Sequence, residues 1–160
     1  MKFTHLLPAS LLLCGVGLAQ NGDDCSAPIM AMTGANAFDT TANTDSFYHD
    51  GTCVGRDGFE DVWFVYTASA DGNHTFDTCG ADFDTVLRVF DGSACNGVCL
   101  AGNDDACATS IGNNYASIVN ASLTNGQSYL IQIEGWGSGD IGTGTLTIAQ
   151  PGPPATNDDC

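Results

Sequence analysis

The chain of 160 residues carries three Lys and Arg against 19 Asp and Glu, a net charge of −16. The one Lys, Lys2, lies in an N-terminal leader, so the remainder sets Arg56 and Arg88 against all 19 acids, 2 − 19 = −17. Such a surface repels phosphates and anionic lipid headgroups, which argues against nucleic acid as a partner, and the length suits one domain with a two-layer core.

The first 19 residues read as a secretory signal: Lys2, a short apolar run, and the small residues Gly17-Leu18-Ala19 at the place a signal peptidase reads. The run is far short of the roughly 20 apolar residues that span a bilayer, and no other run is longer, so no membrane span is expected. Bulky Leu13 before Cys14 argues against a lipoprotein cysteine. Of the 19 acids, 17 are Asp, and there are 20 Gly. Asp bonds nearby backbone and favours turns and caps, so many turns and little helix follow.

From residue 20 the chain announces short strands by alternation and by β-branched or aromatic content. "DVWFVYTA" at 61–68 puts Val62, Phe64 and Tyr66 on one face and Trp63 and Val65 on the other, which predicts a strand buried on both sides. "HTFDTC" at 74–79 follows the turn "ADGN", and the two segments are expected to form a hairpin. "DTVLRVFDG" at 84–92 alternates Val86, Arg88 and Phe90 against Leu87 and Val89. A Cys-rich loop to Cys107 follows, then "YASIVNASL" at 115–123, the Asn-Gly reversal "TNGQ", "SYLIQIEG" at 128–135, a glycine-rich loop, and "GTLTIAQ" at 144–150. About seven short strands in one domain argue an all-β fold, an antiparallel β-sandwich. A Pro-rich segment, "PGPPAT" at 151–156, reads as a linker, and "NDDC" at 157–160 repeats the "NGDDC" of 21–25. The expectation is a tandem array in which residues 20–150 form one module and 157–160 open the next.

Six cysteines, Cys25, Cys53, Cys79, Cys95, Cys99 and Cys107, remain between leader and linker, an even set suited to an oxidising compartment outside the cell or at its surface. No CxxC pair exists and His49 and His74 are isolated, which disfavours zinc. Six cysteines allow 15 pairings. The expected set is Cys25 with Cys53, Cys79 with Cys107 and Cys95 with Cys99, the first tying the opening segment to the loop before the "DVWF" strand.

Residues 21–150 resemble the bacterial pre-peptidase C-terminal domain, a secreted, jelly-roll-like β-sandwich, in its Cys-containing, tandem-repeated form. The pieces that carry the resemblance are "NGDDC", "FDTTANTD" at 38–45, "EDVWFVYTA", "FDTVLRVFDG", "GNDDAC" at 102–107, "NGQSYLIQIEGW" and "GTGTLTI", in order. The resemblance implies a noncatalytic module beside a secreted protease or strung along a surface protein. Some relatives of that kind bind calcium, others insoluble polymers.

Calcium takes six to eight oxygens from flexible loops. Asp23 and Asp24 precede the first strand and Asp57 and Asp61 the "DVWF" strand; the resemblance carries calcium ligation to Asp24 and Asp61 and, more loosely, to Asp23 and Asp57. A second group, Asp82 and Asp84 with Asp104 and Asp105, is a further candidate, against which stands the ordinary use of Asp as a turn cap. Trp136 in the glycine-rich loop is a candidate for stacking on a sugar or peptide, unless it plugs the core. The two sequons at Asn73 and Asn120 are given no role. No GxSxG or HExxH occurs, so no catalysis is expected. The function expected is a structural or adhesive repeat, with neighbouring modules as partners. The alternative is a module that anchors a secreted peptidase or other hydrolase to a polysaccharide or protein polymer.

Overall fold

Alternation along β3 (Phe59–Thr67) decides the architecture, because both of its faces are apolar. In the computed structural model, which describes residues 22–46, 53–54 and 59–152, Val62, Phe64 and Tyr66 point into one core and Trp63 into another, and all four are buried. The described residues hold nine strands and no helix: β1 (Ile29–Ala31), β2 (Gly34–Asp39), β3, β4 (Gly72–Asp77), β5 (Thr85–Asp91), β6 (Cys99–Asn103), β7 (Ile118–Leu123), β8 (Ser128–Gly135) and β9 (Thr143–Ala149). They form a five-stranded sheet, β1-β3-β8-β5-β6, facing a four-stranded sheet, β2-β9-β4-β7. All pairs are antiparallel except β1 with β3, which is parallel over Ile29↔Phe64 to Ala31↔Tyr66. The chain is therefore the expected all-β sandwich.

Only β5 and β6 are neighbours both in sequence and in one sheet; every other connection crosses from sheet to sheet. The hairpin expected at "ADGN" is thus not one. β3 has both edges occupied, by β1 and β8, so the turn sends β4 to the opposite sheet, where it pairs with β7 and β9. "TNGQ" does reverse the chain tightly, with Gln127 N donating to Thr124 O at 3.1 Å and Gly126 at φ +79°, but it too joins strands of different sheets. Strands β1 and β2 were not foreseen: "IMA" is too short to show a period. Asn36 holds their corner, its Nδ2 donating to Met32 O at 2.8 Å while its Oδ1 accepts from Met32 N at 2.9 Å. β6 was hidden in the Cys-rich loop.

Between the sheets, the inward side chains of β3, β5, β8, β4 and β9 close a core around Phe64, Phe76, Leu87, Ile131, Leu146 and Ile148. A second, smaller core lies on the outer face of the five-stranded sheet. There Trp63, Phe90 and Leu130 pack with Cys25, Cys53, Cys95 and Cys99, and among the described residues no helix or strand lies over them as a third layer. Fully burying three such side chains is worth about 2 kcal/mol each, so this cover contributes as much as a small domain's net stability.

The cover explains the disulfides. The bonds are Cys25–Cys95, Cys53–Cys99 and Cys79–Cys107. The third is as expected, whereas the first two correct Cys25–Cys53 and Cys95–Cys99. Each opening-half cysteine reaches across to the β5–β6 region, because that is where the segments meet over Trp63 and Phe90. Gly22 shows how closely the opening segment lies. It sits at φ +90°, its carbonyl accepts from Trp63 N at 2.7 Å, and a Cβ there would stand 2.9 Å from Ile29. Gly102 in β6 does the same for Cys53, since a Cβ would meet Val54 at 2.6 Å.

The bonds close spans of 70, 46 and 28 residues, each worth about 4 kcal/mol in the chain-entropy treatment. Non-reducing proteolysis with mass spectrometry is expected to release Cys25 with Cys95 and Cys53 with Cys99. Fragments joining Cys95 to Cys99 would contradict the cover described here.

Candidate functional site

The acids of the opening segment are spent on backbone. Asp24 Oδ1 accepts from Ser26 N at 2.7 Å, a two-residue turn whose hydrogen bond also holds the carboxyl below its ordinary range. Asp23 Oδ1 accepts from Thr44 N and Oγ1, stitching the opening segment to residues 43–46. Asp57 lies outside the described residues. The structure therefore does not gather Asp23, Asp24 and Asp61 around one point.

It gathers a different set around Asp61, on the outer face of the five-stranded sheet. Asp61 is 2% exposed. Its Oδ2 accepts from Trp63 Nε1 at 2.9 Å, from Gln132 Nε2 at 2.8 Å and from Ser46 Oγ. Gln132 Oε1 in turn accepts from Arg88 Nη1 at 3.2 Å, and Arg88 is ion-paired with Glu134. Apart from Ser46, these belong to outward positions of β3, β8 and β5, and Trp63↔Gln132↔Arg88 is one row in register. Alternation placed polar side chains on that face, and the disulfide-fastened cover then buried them. One cation and two carboxylates are enclosed, and burial pushes the Asp61 carboxyl above its ordinary value despite three donors.

Asp61 Oδ1, Asn43 Oδ1 and Glu60 Oε2, on residues at the start of β3 or bonded to it, have no hydrogen-bond partner, and each is shut off from solvent. Asn43 is held in place by its own Nδ2, which donates to Asp61 O at 2.7 Å. Glu60 sits in the bulge between Phe59 and Val62 and is the one non-glycine at positive φ, +43°, among the described residues. Nothing in the sequence marks Asn43, since its importance comes from a fold-back that brings residues 43–46 to the start of β3.

The second acidic group is brought together in part. At the end where β5 begins, carboxylate oxygens of Asp84, Asp104 and Asp105 lie within 4.8 Å of one another. Asp82 is tied elsewhere, accepting from Thr143 N at 2.7 Å and Thr143 Oγ1 at 3.0 Å, which pins the start of β9. Asp140, from the β8–β9 loop, joins the group unforeseen. Burial, then the charges of Asp104, Asp105 and Asp140, raise the Asp84 carboxyl to about 6. A cleft of about 350 Å³ opens beside Asp82, Asp84 and Asp140, walled by Ile111, Tyr115 and Ile141. Trp136 does not line it. Its backbone N donates to Asp84 O at 3.2 Å and its side chain is half-buried.

His74 is buried, with Nδ1 3.1 Å from Gly72 O and its ring edge-on to Tyr66. His49 lies outside the described residues. The two sequons face each other: Asn73 is opposite Ser122 and Thr75 opposite Asn120, with Thr75 Oγ1 donating to Asn120 Oδ1 at 2.8 Å, so these residues form a cross-strand polar ladder.

No family model matches the chain, and no curated protein does. Among solved structures, it is similar to the pre-peptidase C-terminal domain of a collagenase from Bacillus anthracis, with 11% identity over 76% of this chain and 94% of that one, at a TM-score of 0.47. That domain is of the kind the sequence pieces resemble. A second similarity is to a GH26–CBM35 β-(1,4)-mannanase of Podospora anserina, 16% identical over 77% of this chain and 29% of that one, at a TM-score of 0.27. No helix among the described residues is long and apolar enough to cross a membrane.

Two outcomes follow from the charges. Asp61→Ala removes the shared acceptor of Trp63, Gln132 and Ser46 and should cost about 3–5 kcal/mol in urea unfolding; a loss under about 1 kcal/mol would show that the network does not hold the cover. Asp84 is the opposite case. Its folded pKa lies above the ordinary 3.8, so the fold binds the extra proton, and the residue's contribution to stability falls as pH rises from about 4 through 6. Asp84→Asn should therefore melt higher than the parent at neutral pH, with the difference closing toward pH 4.

Proposed function

We propose that the chain is a noncatalytic accessory module of a larger extracellular protein, serving as a structural or adhesive repeat and steadied by calcium at the start of β3. The observation that carries the calcium reading is the trio of buried, unbonded oxygens on Asn43, Glu60 and Asp61. Two carboxylates and an amide oxygen are the hard donors calcium takes, and a buried bare carboxylate oxygen otherwise costs folding free energy. The positive φ of Glu60 adds to the argument, since a left-handed non-glycine costs about 1 kcal/mol and such strain collects at ligand sites. Asp23 and Asp24, engaged by Thr44 and Ser26, are not needed as ligands.

Three features support the accessory role. Disulfides fasten all six cysteines between leader and linker, which suits an extracellular setting. His74 has its ring in the core, away from any nucleophile pairing. On the outer face, Arg88, Gln132, Glu134 and the Oδ2 of Asp61 are bonded to one another.

Extracellular modules bind calcium with dissociation constants of about 10⁻⁴–10⁻³ M, so ten- to hundredfold excess stabilises the fold by about 1.5–2.7 kcal/mol. Chelation is expected to lower the melting temperature by roughly 5–10 °C relative to about 10 mM Ca²⁺ and renewed Ca²⁺ to restore it, with Glu60→Gln blunting the response. An unchanged melting temperature at low ionic strength would remove calcium from this reading.

A further inference from the structure

The acidic end carries more than charge. The cleft beside Asp84 is lined by both carboxylates and hydrocarbon: Ile111 is 77% exposed, Tyr115 47% and Ile141 37%, three of the seven exposed large hydrophobic residues among the described residues. Its volume of about 350 Å³ is far larger than an ion needs and lies in the range of clefts that hold small ligands or side chains. A metal ion would use the oxygens and leave the apolar wall idle. An anion would be repelled, and a neutral ligand could donate hydrogen bonds to the carboxylates but would leave their charge uncompensated.

We propose that this cleft receives a lysine side chain of a protein partner, the ammonium among Asp84, Asp140 and the neighbouring Asp104 and Asp105, and the methylene stem against Tyr115, Ile111 and Ile141. The acids approach from three separate elements: Asp84 from the start of β5, Asp140 from the β8–β9 loop, and Asp104 with Asp105 from the β6–β7 connection. An ammonium, with three donors pointing apart, matches acceptors spread in this way better than a planar guanidinium, whose strongest pairing is coplanar and bidentate with one carboxylate. Asp84 lines the cleft, and its Oδ1, buried and without a hydrogen-bond partner, leaves the carboxylate's charge uncompensated there. Asp82, whose oxygens already hold Thr143, shapes the floor instead. Tyr115 can offer its ring face to the cation. The excess negative charge of the whole chain draws a basic partner in at long range.

The test uses the intact secreted protein and two blocked tripeptides, Gly-Lys-Gly and Gly-norleucine-Gly, which share the stem and differ in the charge. Binding is followed by amide chemical shifts at low ionic strength. The lysine peptide is expected to shift residues 109–115 and 139–141 and to bind at least about tenfold more tightly than the norleucine peptide, the equivalent of about 1.4 kcal/mol. Asp84→Asn and Asp140→Asn should each weaken it several-fold and Tyr115→Ala likewise, while Asp91→Asn, which removes the same charge at another edge, should leave it unchanged. Asp140→Asn and Tyr115→Ala decide the matter if Asp84→Asn does not fold. The proposal is overturned if no shift appears at millimolar peptide, if norleucine binds equally, if Asp91→Asn weakens binding as much as the cleft variants, or if millimolar Ca²⁺ displaces the peptide with shifts centred on Asp84. The calcium reading at Asn43, Glu60 and Asp61 is separate, since none of those residues lines this cleft.

Discussion

The row Trp63–Gln132–Arg88, running across three strands on the outer face of the larger sheet, is the constraint on which the rest of the structure depends. A sandwich ordinarily leaves its outer faces to water. Here that face bears an indole, Phe90, Leu130 and an arginine paired with Glu134, and all are buried. An arginine at this position is tolerable only with Glu134 and Gln132 beside it, because an unpaired buried charge costs several kcal/mol. A cover must therefore exist, and chain with no regular structure cannot supply it by packing alone. Two cross-links from Cys25 and Cys53 to the β5–β6 region hold it down, and the sulfurs themselves form much of its apolar underside. Asp61 connects the layers by taking donors from the sheet, through Trp63 and Gln132, and from the cover, through Ser46.

Much of the sandwich was legible from side-chain alternation alone. The runs at 61–68, 84–92, 128–135 and 144–150 are strands because their apolar positions are two apart, and β3 is buried on both faces as its composition demanded. Pairing was not legible. A tight turn with Asn-Gly or Asp-Gly says that the chain reverses, not whether it returns to the same sheet: at "ADGN" it changes sheets with both sides of β3 taken, and at "TNGQ" it changes sheets although β7 is an edge strand. The cysteine partners failed for a related reason. Nearness in sequence favoured Cys95 with Cys99, but those two residues flank the start of β6 and each faces a cysteine arriving from the opening half.

The acids divide along the same line. Asp24 and Asp82 serve as backbone caps, the role their residue type predicts. Asp84 and Asp61 are different because of neighbours that no local pattern reveals: Asp140 from a distant loop, and Asn43 from a fold-back. Sequence reasoning named three of the four carboxylates at the acidic end and missed the hydrocarbon beside them, since Ile111 and Tyr115 lie in the β6–β7 connection and Ile141 in the β8–β9 loop and show no shared period.

The sheet-to-sheet threading also governs when this fold can exist at all. β2 has β9 as its sole sheet neighbour, and Cys25 waits for Cys95. A polypeptide delivered N-terminus first shows Cys25 and Cys53 to the oxidant, with only each other available, before either rightful partner has emerged. Early oxidation would thus lock in a wrong loop. Correct maturation favours a slow oxidant or a disulfide-shuffling catalyst, and the yield of native protein from any host should be set by that enzyme's activity more than by the sequence's intrinsic stability.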